Sequence, residues 1–160
     1  MIRPLPLFAV LLGLAGLLPF IACSIGALSL EPDAAQRSLF ALIAYGATIL
    51  AFLGGVHWGF ALDDSGAPTV LVQRARYGLG VLPSLVGWLA LLVMFLGLPM
   101  AGLLILIAGV IILTLVEGRA ARRLLVPRGY MRLRWVLSAG MLGCLVTVCV
   151  VRALGGRIVL

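Results

Sequence analysis

His57 is the only histidine in this 160-residue chain, and it sits in a block of small and apolar residues, Gly54-Gly55-Val56-His57-Trp58-Gly59. An imidazole changes charge near neutral pH, so a buried one is a candidate proton carrier or ligand. The charged residues expected near its depth are Asp63, Asp64, Arg74, Arg76 and Glu117. With Trp58 at the interface, these residues form a candidate polar cluster, because charges at a membrane face cost least when paired; a local pairing of Glu117 with nearby arginines is the equal alternative.

Other chemistry finds little support. A metal site takes three or four ligands and His57 supplies one, so no metal and no cofactor are expected. Cys23, Cys144 and Cys149 lie in apolar runs without CxxC spacing, which suits packing between helices. No serine has a histidine and a carboxylate in convincing reach, and the glycine-rich stretches lack the lysine of a phosphate loop. The expectation is a protein that is not an enzyme, with no catalytic residues.

Composition says what must position the cluster. The chain is 64% hydrophobic and 11% charged, with a mean hydropathy of +1.26. Apolar runs long enough to cross a bilayer recur throughout. The reading is an all-α, polytopic membrane protein: one transmembrane domain over residues 1–160, built as a bundle of five helices. The expected spans are Leu5–Leu28, Ser38–Leu62, Tyr77–Leu96, Pro99–Glu117 and Trp135–Val151. Pro19 is expected to kink the first, and Pro83 interrupts the third. Val70-Leu71-Val72 reads as a short interfacial turn, and Gly97-Leu98-Pro99 as a tight turn that forces an antiparallel hairpin.

Charge orients the bundle. The net charge of +7 comes from arginine alone. Arg3, Arg74, Arg76, Arg119, Arg122, Arg123, Arg128, Arg132 and Arg134 fall on one side, against Arg37, Arg152 and Arg157 on the other. The positive-inside rule then puts the N-terminus in the cytoplasm and the C-terminus outside. Arg119, Arg122, Arg123 and Arg128 are expected against anionic lipid headgroups, or to act as topology determinants alone. Loops this short exclude a nucleic-acid-binding face.

On the second span Ala47, Ala51, Gly55 and Gly59 recur every four residues, beside Gly54. This is the GxxxG form of a helix-packing seam, facing another helix of the chain or a second copy. His57 is expected to point away from it, about 9 Å below the cytoplasmic end of the helix. Structural hydrogen bonding, a proton or ligand role, and haem ligation all remain open for His57.

The block from Tyr45 to Leu62, with its Phe52-Leu53-Gly54-Gly55-x-His57-Trp58-Gly59 core, resembles the signature of the domain of unknown function 3429 family, which takes in transmembrane-protein-sixty-nine-like chains. Leu82-Pro83-Ser84-Leu85 with Gly87-Trp88 resembles its second recurring element, and so does the arginine-rich passage before the last span. The resemblance implies a small integral protein of a bacterial inner membrane or a mitochondrion, and it carries over no catalytic residue.

The leading expectation is a multi-pass protein of the bacterial inner membrane, a helix-packing accessory or assembly subunit that joins a homo-oligomer or a larger membrane complex. A small oligomeric transporter or proton-linked carrier using His57 and Glu117 is the alternative. A haem- or quinone-binding subunit with His57 and Trp58 at the ring is the third.

Overall fold

A computed structural model describes residues 6–62, 70–122 and 128–155, with side chains at all of these except 60, 71, 72, 120–122 and 128–130. The described residues form helices α1 (Leu7–Ala15), α2 (Leu18–Ser29), α3 (Pro32–Leu62), α4 (Val70–Phe95), α5 (Pro99–Arg122) and α6 (Arg128–Ala153). Among the described residues, five segments are long and apolar enough to cross a membrane: Leu7–Ser29, Pro32–Gly59, Gln73–Phe95, Pro99–Arg119 and Met131–Ala153. The protein is therefore an all-helical, multi-pass membrane protein.

The helices outrun the apolar stretches. α3 starts at Pro32 rather than Ser38, α4 at Val70 rather than Tyr77, and α6 at Arg128 rather than Trp135, while α5 runs on to Arg122. Hydropathy marks where a helix meets water, whereas arginine, alanine and glutamine sustain helix well beyond that point. Val70-Leu71-Val72 is consequently the first turn of α4, not a separate interfacial turn.

The first span is broken, but upstream of its proline. α1 ends at Ala15 and α2 begins at Leu18, with Pro19 in its first turn. A proline ring collides with the carbonyl four residues back, here Ala15, so the break falls there. The freed Gly16 carbonyl accepts a hydrogen bond from Tyr45 Oη at 2.9 Å, and the Tyr45 ring meets Phe20 edge-on at 4.9 Å. Pro83, by contrast, lies buried within a continuous α4.

At Gly97, φ is +86°. Its N–H bonds the Met94 carbonyl and the Leu98 N–H bonds that of Val93, a Schellman cap that ends α4. Pro99 then starts α5 at a first position that suits proline.

α3 is the hub, packing against α2, α4 and α5, while α6 closes the bundle by packing on α5 and α2. α3 and α4 meet through glycine. A Cβ on Gly54 would collide with the Gly80 carbonyl, and one on Gly80 with the Trp58 ring. A Cβ on Gly87 would come within 2.9 Å of the Ala47 carbonyl. Ala47 with Gly54, and Gly87 with Gly80, stand seven apart on antiparallel helices, so one smooth stripe meets another.

This differs from the stripe read at four-residue spacing. Ala47 is buried and Ala51 half-buried, but Gly55 and Gly59 are exposed, and a Cβ on either would meet nothing within 4 Å. A two-turn contact against a crossing helix repeats every seven residues, and that selects Gly54 over Gly55.

Candidate functional site

Three inward stripes run into the site. On α3 the buried positions include Ile43, Ala47, Leu50, Gly54, His57 and Ala61. On α5 they include Leu103, Leu106, Val110, Leu113 and Glu117, with Thr114 beside them. On α6 they are Met131, Arg134, Ser138, Met141, Leu145 and Val148. Each runs at alternating spacings of three and four, the period of a core-facing helix. His57, Glu117, Arg134 and Ser138 occupy positions where that period calls for leucine.

Apart from the helix termini, polar groups survive in such a core only by pairing. His57 Nε2 lies 2.9 Å from Glu117 Oε1, and Arg134 Nε donates to Glu117 Oε2 at 2.6 Å. Arg134 Nη1 donates to Ser138 Oγ at 2.7 Å, and Thr114 Oγ1 donates to the same oxygen at 3.1 Å. A carboxylate only accepts, so the imidazole meets it with Nε2 protonated. Glu117 is wholly buried and His57 and Arg134 are each 3% exposed. Arginine keeps its charge in any surroundings, so the Glu117 carboxylate balances it inside the bundle. The network ties α3, α5 and α6 together at one end of the membrane-spanning region.

Of the cluster expected from sequence, the structure thus brings His57 and Glu117 into contact. Arg74 is exposed and Arg76 buried, while Asp63 and Asp64 lie outside the described residues. Trp58 sits at the surface of α3, its Nε1 donating to the Tyr77 carbonyl at 3.3 Å and its ring edge-on to Tyr77. His57 faces the core with Leu53 and Ala61 and points away from the exposed Gly55 and Gly59, as expected, while the close contact with α4 runs through Gly54 instead. Among the arginines expected at headgroups, Arg119 is exposed, and Arg123 and the side chains of Arg122 and Arg128 lie outside the described residues.

Glu117 does pair with an arginine, but sequence reasoning did not single out Arg134 from its neighbours, and it missed Ser138. Arg134 reads as loop charge when the last span is started at Trp135. Extending the α6 stripe backwards from Met141 by three and then four residues reaches Ser138 and Arg134, and that periodicity was the available signal.

Chemically, the site offers one imidazole and one carboxylate, already committed to each other and to a guanidinium. Among the described residues no three His, Cys, Asp or Glu side chains converge as a metal site would require. What the arrangement can do is hold three helices in register, or pass a proton between His57 and Glu117.

Residues 5–150 match the model of a family described as protein of unknown function (DUF3429). The chain belongs to that family. It is also similar to transmembrane protein 69 of Xenopus tropicalis, 39% identical over 92 residues. That match takes in 57% of this chain but 35% of the relative, so the chain corresponds to about a third of it. No solved structure matches.

Proposed function

We propose that this family member is a non-catalytic integral membrane subunit, a scaffold locked by a buried polar clamp and docked through the outer face of α3. The observation that carries the reading is the division of glycines on α3. Gly54 is used up in the intrachain contact with α4, whereas Gly55 and Gly59 stand exposed with room for a Cβ. Small residues four apart on a membrane helix admit a second backbone at close range. The partner is another copy of this chain or a helix of a larger complex. The clamp suits this reading because it is buried and paired, which fixes the face that α3 presents.

The test is purification in mild detergent, with wild type compared with Gly55→Leu/Gly59→Leu. The wild type is expected to sediment as an oligomer or with co-purifying subunits, and the variant to lose that association. A wild type that runs strictly as a monomer and captures nothing overturns the proposal.

The 2.9 Å contact of His57 with Glu117 favours a second reading, a proton-linked carrier. In proteoliposomes a carrier would move protons down an imposed gradient, and His57→Gln would stop it. Equal flux in both proteins removes that reading.

Placement in a bacterial inner membrane, N-terminus inside, belongs to the same proposal. It is supported by the arginine bias, with Arg119, Arg122, Arg123 and Arg128 toward anionic headgroups at about 1 kcal/mol each. A reporter active only in the cytoplasm, fused after Leu160, is expected to stay silent.

A further inference from the structure

Arg134 has more donors than the clamp uses. Its Nε and Nη1 are committed to Glu117 and Ser138, while its Nη2 is buried with no hydrogen-bond partner among the described residues. A buried guanidinium N–H left unpaired costs stability unless something supplies an acceptor. The same side chain lines a cavity of about 150 Å³ between the broken first span, α3 and α6. Gly13, Gly16 and Leu17 form one wall, at the break before Pro19; Ile49 and Phe52 form another; Leu137 lies on the third. Leu12 and Phe52 are 58% and 66% exposed, so the mouth opens sideways toward lipid.

We propose that this cavity binds a neutral, carbonyl-bearing lipophile whose oxygen accepts from Arg134 Nη2. The proposal is independent of the docking face at Gly55 and Gly59.

Three observations choose the ligand class. Apart from Arg134, the side chains of the wall are apolar, so the body of the ligand is apolar. A water would find one side-chain partner there, where a held water makes about three hydrogen bonds. The Arg134 charge is already balanced by Glu117, so an anion would bring an uncompensated charge into the bundle, and a neutral carbonyl does not. Size narrows it further: a cavity of about this volume takes one benzene-sized ring or the end of a chain, and a tetrapyrrole is excluded. Membrane quinones and the ester carbonyls of lipids both carry the required acceptor.

The site lies on the opposite side of α3 from Trp58, so it is distinct from a ring site at His57 and Trp58. The break in the first span supplies the space. A continuous helix would run its Gly16–Leu17 turn straight, and the Tyr45 hydroxyl holds that turn out of register instead.

The experiment uses full-length protein in nanodiscs of ether-linked lipid, which lack ester carbonyls. A decyl-tailed benzoquinone, methyl decanoate and decanoate are titrated by calorimetry. Saturable binding of either neutral probe supports the site, and which of the two binds more tightly identifies a quinone or a lipid ester as the source. Ile49→Trp fills the cavity without touching the clamp and is expected to weaken binding at least tenfold. Arg134→Lys keeps the charge beside Glu117 but has no Nη2, and is expected to weaken it about 10- to 100-fold, the span of one hydrogen bond from a charged donor. No saturable binding of either neutral probe, tighter binding of decanoate, or unchanged binding in Ile49→Trp overturns the proposal. Should Ile49→Trp not fold, a photoreactive quinone decides on the wild type. Labels around Phe52 and Leu137 support the site, and labels elsewhere overturn it.

Discussion

Replacing Glu117 by glutamine keeps the shape of the side chain and removes the charge that balances Arg134. The guanidinium is 3% exposed and cannot shed its proton, so the variant must hold an uncompensated cation inside the bundle. Breaking a buried ion pair from one side costs about 3–5 kcal/mol. The geometry places this case within that range. The carboxylate takes both the 2.6 Å bond from Arg134 and the 2.9 Å contact with His57, and hydrogen bonds to charged groups contribute about 1.5–3 kcal/mol each. Arg134→Met leaves the opposite charge stranded and is expected to cost a similar amount. The double variant Glu117→Met/Arg134→Met removes both charges and keeps the Thr114–Ser138 bond at 3.1 Å. What then remains to be felt is the lost carboxylate of His57, about 1–3 kcal/mol, and the lost Arg134 Nη1 bond to Ser138, whose hydroxyl keeps its Thr114 partner. The double variant should therefore be more stable than either single one, although independent effects would sum to about 6–10 kcal/mol. Reversible unfolding in mixed micelles, followed by tryptophan fluorescence, measures all four proteins. A single-variant cost below about 1 kcal/mol, or a double variant as unstable as the sum, would refute the clamp.

The glycine seam gives a paired prediction. Gly54→Ala forces a methyl into the Gly80 carbonyl and should cost about 1–3 kcal/mol, whereas Gly55→Ala meets nothing and should be neutral or slightly stabilising in the unassociated chain. Thermal denaturation in detergent separates them. Gly97→Ala must adopt a φ of +86° and should lose about 1–2 kcal/mol by the same assay. Tyr45→Phe removes the bond to the Gly16 carbonyl at 2.9 Å and should cost about 0.5–1.5 kcal/mol, with faster amide exchange at the α1–α2 break.

Hydropathy made the span count legible because each span is a continuous apolar run. It misplaced the helix starts at Pro32, Val70 and Arg128, since polar residues outside the bilayer continue a helix without an apolar signal. The site was legible by half. His57 and Glu117 could be matched because both are rare ionisable groups near one end of their spans. Arg134 was concealed by its neighbours: among Arg128, Arg132 and Arg134 nothing in composition says which arginine turns inward. Only the stripe from Met141 to Ser138 to Arg134 does so. The Gly54–Gly80 seam was hidden for a related reason. In a helix with adjacent glycines, the choice between Gly54 and Gly55 depends on how α4 crosses, which one helix alone cannot reveal.

Two different devices therefore hold the two sides of α3, and the bilayer explains why both are needed. Helices in lipid gain no hydrophobic drive toward each other, so contact must come from close packing or from polar pairing. Toward α4 the chain removes side chains, at Gly54, Gly80 and Gly87, until backbones touch. Toward α5 it sets full-size leucines against glycines, Leu106 on Gly46 and Leu50 on Gly109, and it pins the end with Glu117, His57 and Arg134. Close packing fixes distance but tolerates sliding by two turns, because leucine matches leucine one heptad away. An ion pair does not, since a slip of one heptad (about 10.5 Å) strands both charges in an apolar core. The clamp thus sets register where packing alone would leave it open. The break at Gly16 lies beside it, so the span with least packing borders the group with a donor to spare.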